Sequence, residues 1–157
     1  MNATNYTEIR ELARSISRIE NSVPGFEKLL LSENQHAAIV IGITGAPGSG
    51  KSTLADALIG EVLRDGKRVA VLCVDPSSPF NRGALLGDRI RMSNWYNHPD
   101  VFIRSLASRG SLGGLHPHII EVAEYVKKQG FDFVIIETVG VGQSEVDIAA
   151  LADITIV

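Results

Sequence analysis

One cysteine, one tryptophan and no lysine- or arginine-rich tract among 157 residues remove several familiar chemistries at the outset. A lone Cys73 closes no internal disulfide, and no Cys/His grouping has zinc-site spacing. Cys73 lies inside an apolar run, so its expected role is that of a small buried side chain. A positive surplus is missing too. Fifteen Lys and Arg face eighteen Asp and Glu, a net charge of −3, which argues against a nucleic-acid surface. No apolar run approaches membrane-spanning length. The polar, acidic stretch 1–11 lacks the apolar core of a signal peptide. A cytoplasmic protein, in contact with neither nucleic acid nor membrane, is the expectation.

What the sequence does contain is strongly patterned. Ile9, Leu12, Ala13, Ile16 and Ile19 recur at helical spacing with charged residues between them, predicting an amphipathic helix over 5–21. Pro24-Gly25 breaks the pattern, and a short second helix is expected near 26–31. This stretch, 1–36, carries no chemistry of its own and reads as a helical arm. From Ala37 the character changes. The run 37–44 is continuously apolar, as expected of a strand buried on both faces. A helix over 51–64 follows, with Leu54, Leu58 and Val62 expected on its apolar face and Gly66 as its stop. Further strands are predicted over 68–75, 100–106, 131–137 and 152–157. A helix opening at Pro117 presents Ile119, Val122, Ala123 and Val126. Strands alternating with helices predict an α/β fold, a parallel sheet with helices on both faces spanning 37–157.

The chemistry is concentrated where the first strand meets its helix. Gly45-Ala46-Pro47-Gly48-Ser49-Gly50-Lys51-Ser52 is a P-loop motif in the strand–loop–helix context that the motif requires. Its glycines let consecutive backbone N–H groups turn inward around phosphate, and the helix N-terminus adds its positive dipole end. Lys51 reaches the outer phosphates and the Ser52 hydroxyl suits Mg²⁺. Glu137 ends an apolar strand at the crevice where ligands bind in such sheets, placing it to hold the Mg²⁺ shell directly or through water. The Gly140 N–H follows as a γ-phosphate sensor in a switch loop. Asp75, opening Asp75-Pro76-Ser77-Ser78-Pro79, is a candidate for the metal shell or for positioning water. Asp88, taken alone, reads as a surface ion-pair partner. Arg104 and Arg109 can reach phosphate, although exposure to solvent is the plainer reading of both. His116 and His118, two apart, do not share a helix face and read as cap and surface residues.

Several segments together resemble the MeaB/ArgK-type P-loop GTPases. They are 43–54 around the P-loop, Val74-Asp75-Pro76-Ser77-Ser78-Pro79, Gly83-Ala84-Leu85-Leu86-Gly87-Asp88-Arg89, 103–110 with the turn at Gly113-Gly114, and 137–145. The resemblance implies a chaperone for methylmalonyl-CoA mutase or a related cobalamin-dependent acyl-CoA mutase. Such a chaperone gates cofactor loading and protects the mutase, coupled to hydrolysis of Mg²⁺-GTP, and the family is usually homodimeric. By position it implies Gly45, Ala46, Pro47, Gly48, Ser49, Gly50, Lys51, Ser52, Thr53 and Gly140 around GTP or GDP. It implies Ser52, Asp75, Asp88 and Glu137 around the metal, with Gln143 a candidate for orienting water. It thereby raises Asp88 above a surface role. The sequence ends at Val157, about half the family's length, and holds no Asn-Lys-x-Asp segment of the kind that reads guanine. A truncated chain that discriminates little between bases is therefore expected. Two other classes share the motif. One is a kinase or ATPase associated with lysine/arginine/ornithine transport, marked by phosphate transfer to an acceptor. The other is a nucleotide-sensing module, marked by binding without turnover.

Overall fold

A computed structural model describes residues 3–31, 37–75, 92–107, 118–138 and 144–157. Helix α1 (Ala3–Glu20) and the single turn α2 (Glu27–Leu30) precede β1 (Ile39–Ile43), α3 (Lys51–Arg64), β2 (Val69–Asp75) and β3 (Val101–Ala107). Helix α4 (Ile119–Lys127), β4 (Phe133–Thr138), α5 (Ser144–Leu151) and β5 (Ile154–Ile156) follow. The strands form one sheet in the order β3-β2-β4-β1-β5, and every neighbouring pair is parallel. The α/β expectation is met.

The continuous apolar runs divide by period two between the faces, as strand geometry requires. Val40, Leu72, Val134 and Ile136 face one cluster with Leu12, Ile16 and Ile19 of α1, Val122 and Val126 of α4, and Ile148 of α5. Ile41, Ile43, Val71, Cys73 and Ile135 face the other, under Ala55, Ile59 and Val62 of α3, with Met92. Cys73 is buried as expected. Helix α1 thus shares its core with the sheet. It ends in the hydrogen-bond pair of a Schellman cap, Ser22 N–H to Ile19 O at 3.0 Å and Val23 N–H to Arg18 O at 3.0 Å. That cap holds Ser22 at φ +48°, where its hydroxyl lies 2.8 Å from His118 Nε2.

Two expectations change. The buried stripe of α3 is Ala55, Ile59 and Val62, whereas Leu54 is 36% exposed. A 3.6-residue period places both sets on neighbouring lines, and the sheet takes the one that begins at Lys51. Helix α5 was not expected. Its residues, SEVDIAAL, carry no one-sided apolar pattern to announce it. It lies so close to β1 that a Cβ on Gly42 would sit 2.5 Å from Ile148 Cγ2.

Candidate functional site

The register of the sheet assembles the site. Ile43 of β1 stands beside Glu137 of β4, and Glu137 in turn pairs with Cys73 of β2. The P-loop therefore leaves β1 at the level where β4 presents its carboxylate. This is the carboxyl end of the sheet, where the order β3-β2-β4-β1 interposes β4 between the first two strands of the chain and opens a crevice.

The loop has the backbone its motif demands. Gly45, Gly48 and Gly50 have φ of +132°, +80° and +93°, left-handed values that L side chains rarely adopt. Gly50 is the N-cap residue of α3, and Leu54 N–H returns to Gly50 O at 2.9 Å, so the helix starts directly behind the loop. Lys51 opens that helix and is only 8% exposed. Its Nζ donates to Gly45 O and to Ala46 O, both at 2.8 Å. The ammonium folds back over the loop, with two of its three N–H donors committed to loop carbonyls and the third available to an anion. The lysine charge, the left-handed glycines and the α3 N-terminus thus stand together, the combination that suits phosphate.

Ser52 Oγ donates to Glu137 Oε1 at 2.5 Å. Glu137 is 8% exposed, which is rare for a carboxylate without a specific partner. Because the single hydroxyl proton points at the carboxylate, Ser52 presents acceptor lone pairs on its other side. A hydroxyl and a carboxylate oxygen side by side make a hard, all-oxygen donor pair of the kind that suits Mg²⁺ and not a soft metal. The residues present therefore fit that ion. Thr138, next along β4, donates to Ile43 O at 3.4 Å and adds a side-chain link between the two strands. One residue before the loop, Thr44 Oγ1 is buried with no hydrogen-bond partner among the described residues.

The other predicted positions separate. Asp75 is the last residue of β2, on the strand that flanks β4. Its side chain lies outside the described residues, as do Asp88, Arg109, His116, Gly140 and Gln143. Arg104 is only partly exposed, and its guanidinium is engaged by α1. Register puts it beside Leu72, below the carboxyl end of the sheet, and its guanidinium bonds Glu20 Oε2 at 2.5 Å and Ser17 Oγ at 3.0 Å. It pins α1 to the sheet. His118 is a cap-position residue tied to Ser22, as the sequence suggested, and its Nδ1 lies 3.4 Å from Glu121. The motif did not reveal Asp56. It lies one helical turn after Ser52 and accepts the Trp95 indole N–H at 2.6 Å. Only its i+4 spacing from Ser52 could have drawn attention to it.

A relative from Pyrococcus horikoshii, provisionally named a GTPase, is 48% identical over 149 residues, covering 92% of this chain and 46% of its own length. The GTPase ArgK of Escherichia coli is 45% identical over 113 residues, 72% of this chain and 34% of that protein. A fused isobutyryl-CoA mutase of Geobacillus kaustophilus is 48% identical over 118 residues, 74% of this chain and 11% of that protein. The chain spans about half the length, or less, of these curated relatives. Residues 12–157 match the family model described as methylmalonyl-CoA mutase-associated GTPase MeaB, and the chain belongs to that family.

Proposed function

We propose that these residues form the phosphate- and magnesium-binding part of a GTPase that acts as a chaperone for a cobalamin-dependent acyl-CoA mutase. The observation that carries the nucleotide reading is the Lys51-Ser52 start of α3 lying against Glu137, with Ser52 Oγ and Glu137 Oε1 2.5 Å apart. Lys51 neutralises the outer phosphates while backbone N–H groups of the glycine-rich loop and of the α3 N-terminus surround them. Ser52 and Glu137 would hold Mg²⁺, which would supply positive charge to offset that of a transferring phosphoryl group. Glu137 orients the Ser52 hydroxyl and keeps negative charge beside the ion. In this reading Asp75 and Asp88 complete the metal and switch region, Gly140 senses the γ-phosphate and Gln143 orients water. Residues 1–36 act as an arm on a P-loop domain that begins at 37.

The partner reading is supported by the family's mutase association and by the relative in which a matching stretch is fused to isobutyryl-CoA mutase. Fusion supplies a high effective concentration of one module for the other, an arrangement useful only if the two meet. The proposed assembly is a homodimer in the longer protein, coupling GTP hydrolysis to gating of cobalamin loading and to protection of the mutase.

The test has two parts. Calorimetric titration of this chain with GDP, with and without Mg²⁺, reports on the phosphate and cation site, and a flat titration refutes the nucleotide reading. Phosphate release from GTP, and cobalamin loading of an acyl-CoA mutase, are then measured with the chain extended to the length of its relatives. Release of free phosphate supports a GTPase, whereas transfer to an acceptor supports a kinase. Loading that ignores the extended protein and GTP refutes the chaperone reading.

A further inference from the structure

The Asp56–Trp95 hydrogen bond is buried in no motif and has no role in the phosphate chemistry, yet it grips the same helix that carries Ser52. Ser52, Asp56 and Gly60 are spaced by four along α3 and form one stripe. At the first turn the stripe is tied to the sheet through Ser52 Oγ and Glu137. At the second, Asp56 Oδ1 accepts Trp95 Nε1–H at 2.6 Å. At the third, the indole lies on the bare backbone of Gly60, where an added Cβ would meet Cζ2 at 3.8 Å. Trp95 is itself fixed. Its N–H bonds Met92 O at 3.0 Å, and Met92 is 1% exposed in the core under α3.

Packing of Ala55, Ile59 and Val62 seats α3 on the sheet, but apolar contacts are non-directional and leave small rotations about the axis cheap. A directional bond from the Ser52 stripe, one turn on, narrows that freedom. We infer that Trp95 and Asp56 are positioning residues that set the rotation of α3, and so aim the Ser52 hydroxyl at the cation that accompanies nucleotide. The inference rests on the proposed nucleotide reading and adds residues that the P-loop motif does not contain. The polarity of the bond fits the role. An indole N–H offers one donor and no acceptor, and a carboxylate receives it in a charge-assisted bond of defined direction. Displacements on the order of 1 Å at a reacting group can cost on the order of a hundredfold, so a small turn of α3 is enough to matter.

The experiment is a titration of GDP binding against MgCl₂ concentration for the wild-type chain and for W95F, D56A and D56N, with metal-free GDP affinity measured alongside. W95F keeps a ring over Gly60 and loses the donor. D56A loses the acceptor. D56N retains an Oδ1 acceptor and serves as the conservative rescue. W95F and D56A are expected to raise the Mg²⁺ concentration for half-maximal effect by about three- to tenfold, a shift of up to about 1.4 kcal/mol. Metal-free GDP affinity should stay within about twofold, and D56N should lie close to wild type. A merely structural role would weaken metal-free and Mg²⁺-supported binding together and would track the unfolding midpoint. That pattern overturns the inference, as do W95F and D56A curves that superimpose on a Mg²⁺-responsive wild type. A wild-type chain whose GDP binding ignores Mg²⁺ overturns the cation reading and this inference together.

Discussion

Replacing Gly42 with alanine is expected to cost about 1–2 kcal/mol of stability, for a reason visible at single-atom level. The added Cβ falls 2.5 Å from Ile148 Cγ2 and 3.1 Å from Ala152 Cβ. Carbon atoms in contact prefer roughly 3.5–4.0 Å, so α5 must retreat by about 1 Å. It has little room to do so. Ile148 is 0% exposed. The end of α5 is stitched to β1 by Asp153 N–H to Val40 O at 2.9 Å and by Val40 N–H to Asp153 Oδ2 at 2.8 Å. Overpacking of this kind costs about 1–3 kcal/mol. The loss of unfolded-chain entropy on replacing glycine returns about 0.4–1 kcal/mol, which leaves the net figure above. With a urea slope of about 2 kcal/mol per molar, the midpoint should fall by roughly 0.5–1 M. The cause can be isolated by a cycle. I148V keeps a γ-carbon at the offending branch, whereas I148L moves the branch one atom out. G42A combined with I148L should therefore be less destabilised than the sum of the singles by about 1 kcal/mol, and G42A with I148V should be additive. An unchanged midpoint for G42A, or equal coupling in the two pairs, would refute the steric account.

The remaining predictions concern the loop and its two flanking strands. K51A should abolish measurable binding of Mg²⁺-GTP by calorimetry while leaving the protein folded, because the charge is lost but Gly45 O and Ala46 O can turn to water; unchanged affinity in a folded variant would remove Lys51 from the site. E137Q should retain the fold, since the amide oxygen still accepts the Ser52 hydroxyl, yet raise the Mg²⁺ requirement for nucleotide binding by about 10–100-fold; superimposable Mg²⁺ titrations would count against it. T44V should be neutral or stabilising by up to about 1 kcal/mol in urea unfolding, because it removes a buried hydroxyl with no partner among the described residues without changing shape; a loss above 1 kcal/mol would reveal a bond that Thr44 does make.

Legibility from sequence varied with the kind of pattern. Strands β1, β2 and β4 declared themselves as continuous apolar runs, because both faces of a parallel sheet are buried and nothing interrupts the run except its ends. The boundaries moved by one or two residues, since strand ends are set by pairing partners elsewhere in the chain. The P-loop motif was legible as particular residues at particular spacing, and Glu137 as a carboxylate ending an apolar strand, which the sheet brings against Ser52. Helix α5 was not, because its eight residues show no apolar side. Its close approach to β1 depends on the missing side chain of Gly42, which appears in sequence only as one more glycine in a strand. Arg104 misled for a related reason. An arginine in a strand reads as exposed unless the helix that covers it is known, and Glu20 and Ser17 lie more than 80 residues away.

The site's precision follows from those same two-sided runs. Glu137 meets Ser52 only because β4 pairs with β1 in the register that sets Ile43 beside Glu137. A slip of one residue would turn Glu137 to the face of α1 and α4 and bring Ile136 toward α3, since successive strand side chains alternate in direction. One buried face is enough to specify register, and only strands polar on both faces or rich in glycine slip readily. Here Ile135 is packed under α3 and Ile136 under the opposite helices, both 0% exposed, so each face independently rejects the slipped pairing. The carboxylate itself would lose the Ser52 hydroxyl, and an unpaired buried charge is among the costliest errors a fold can make. Apolar packing on two faces and one hydroxyl–carboxylate contact thus enforce a single register. The aim of the Ser52 hydroxyl is in this sense a consequence of how β1 and β4 are buried.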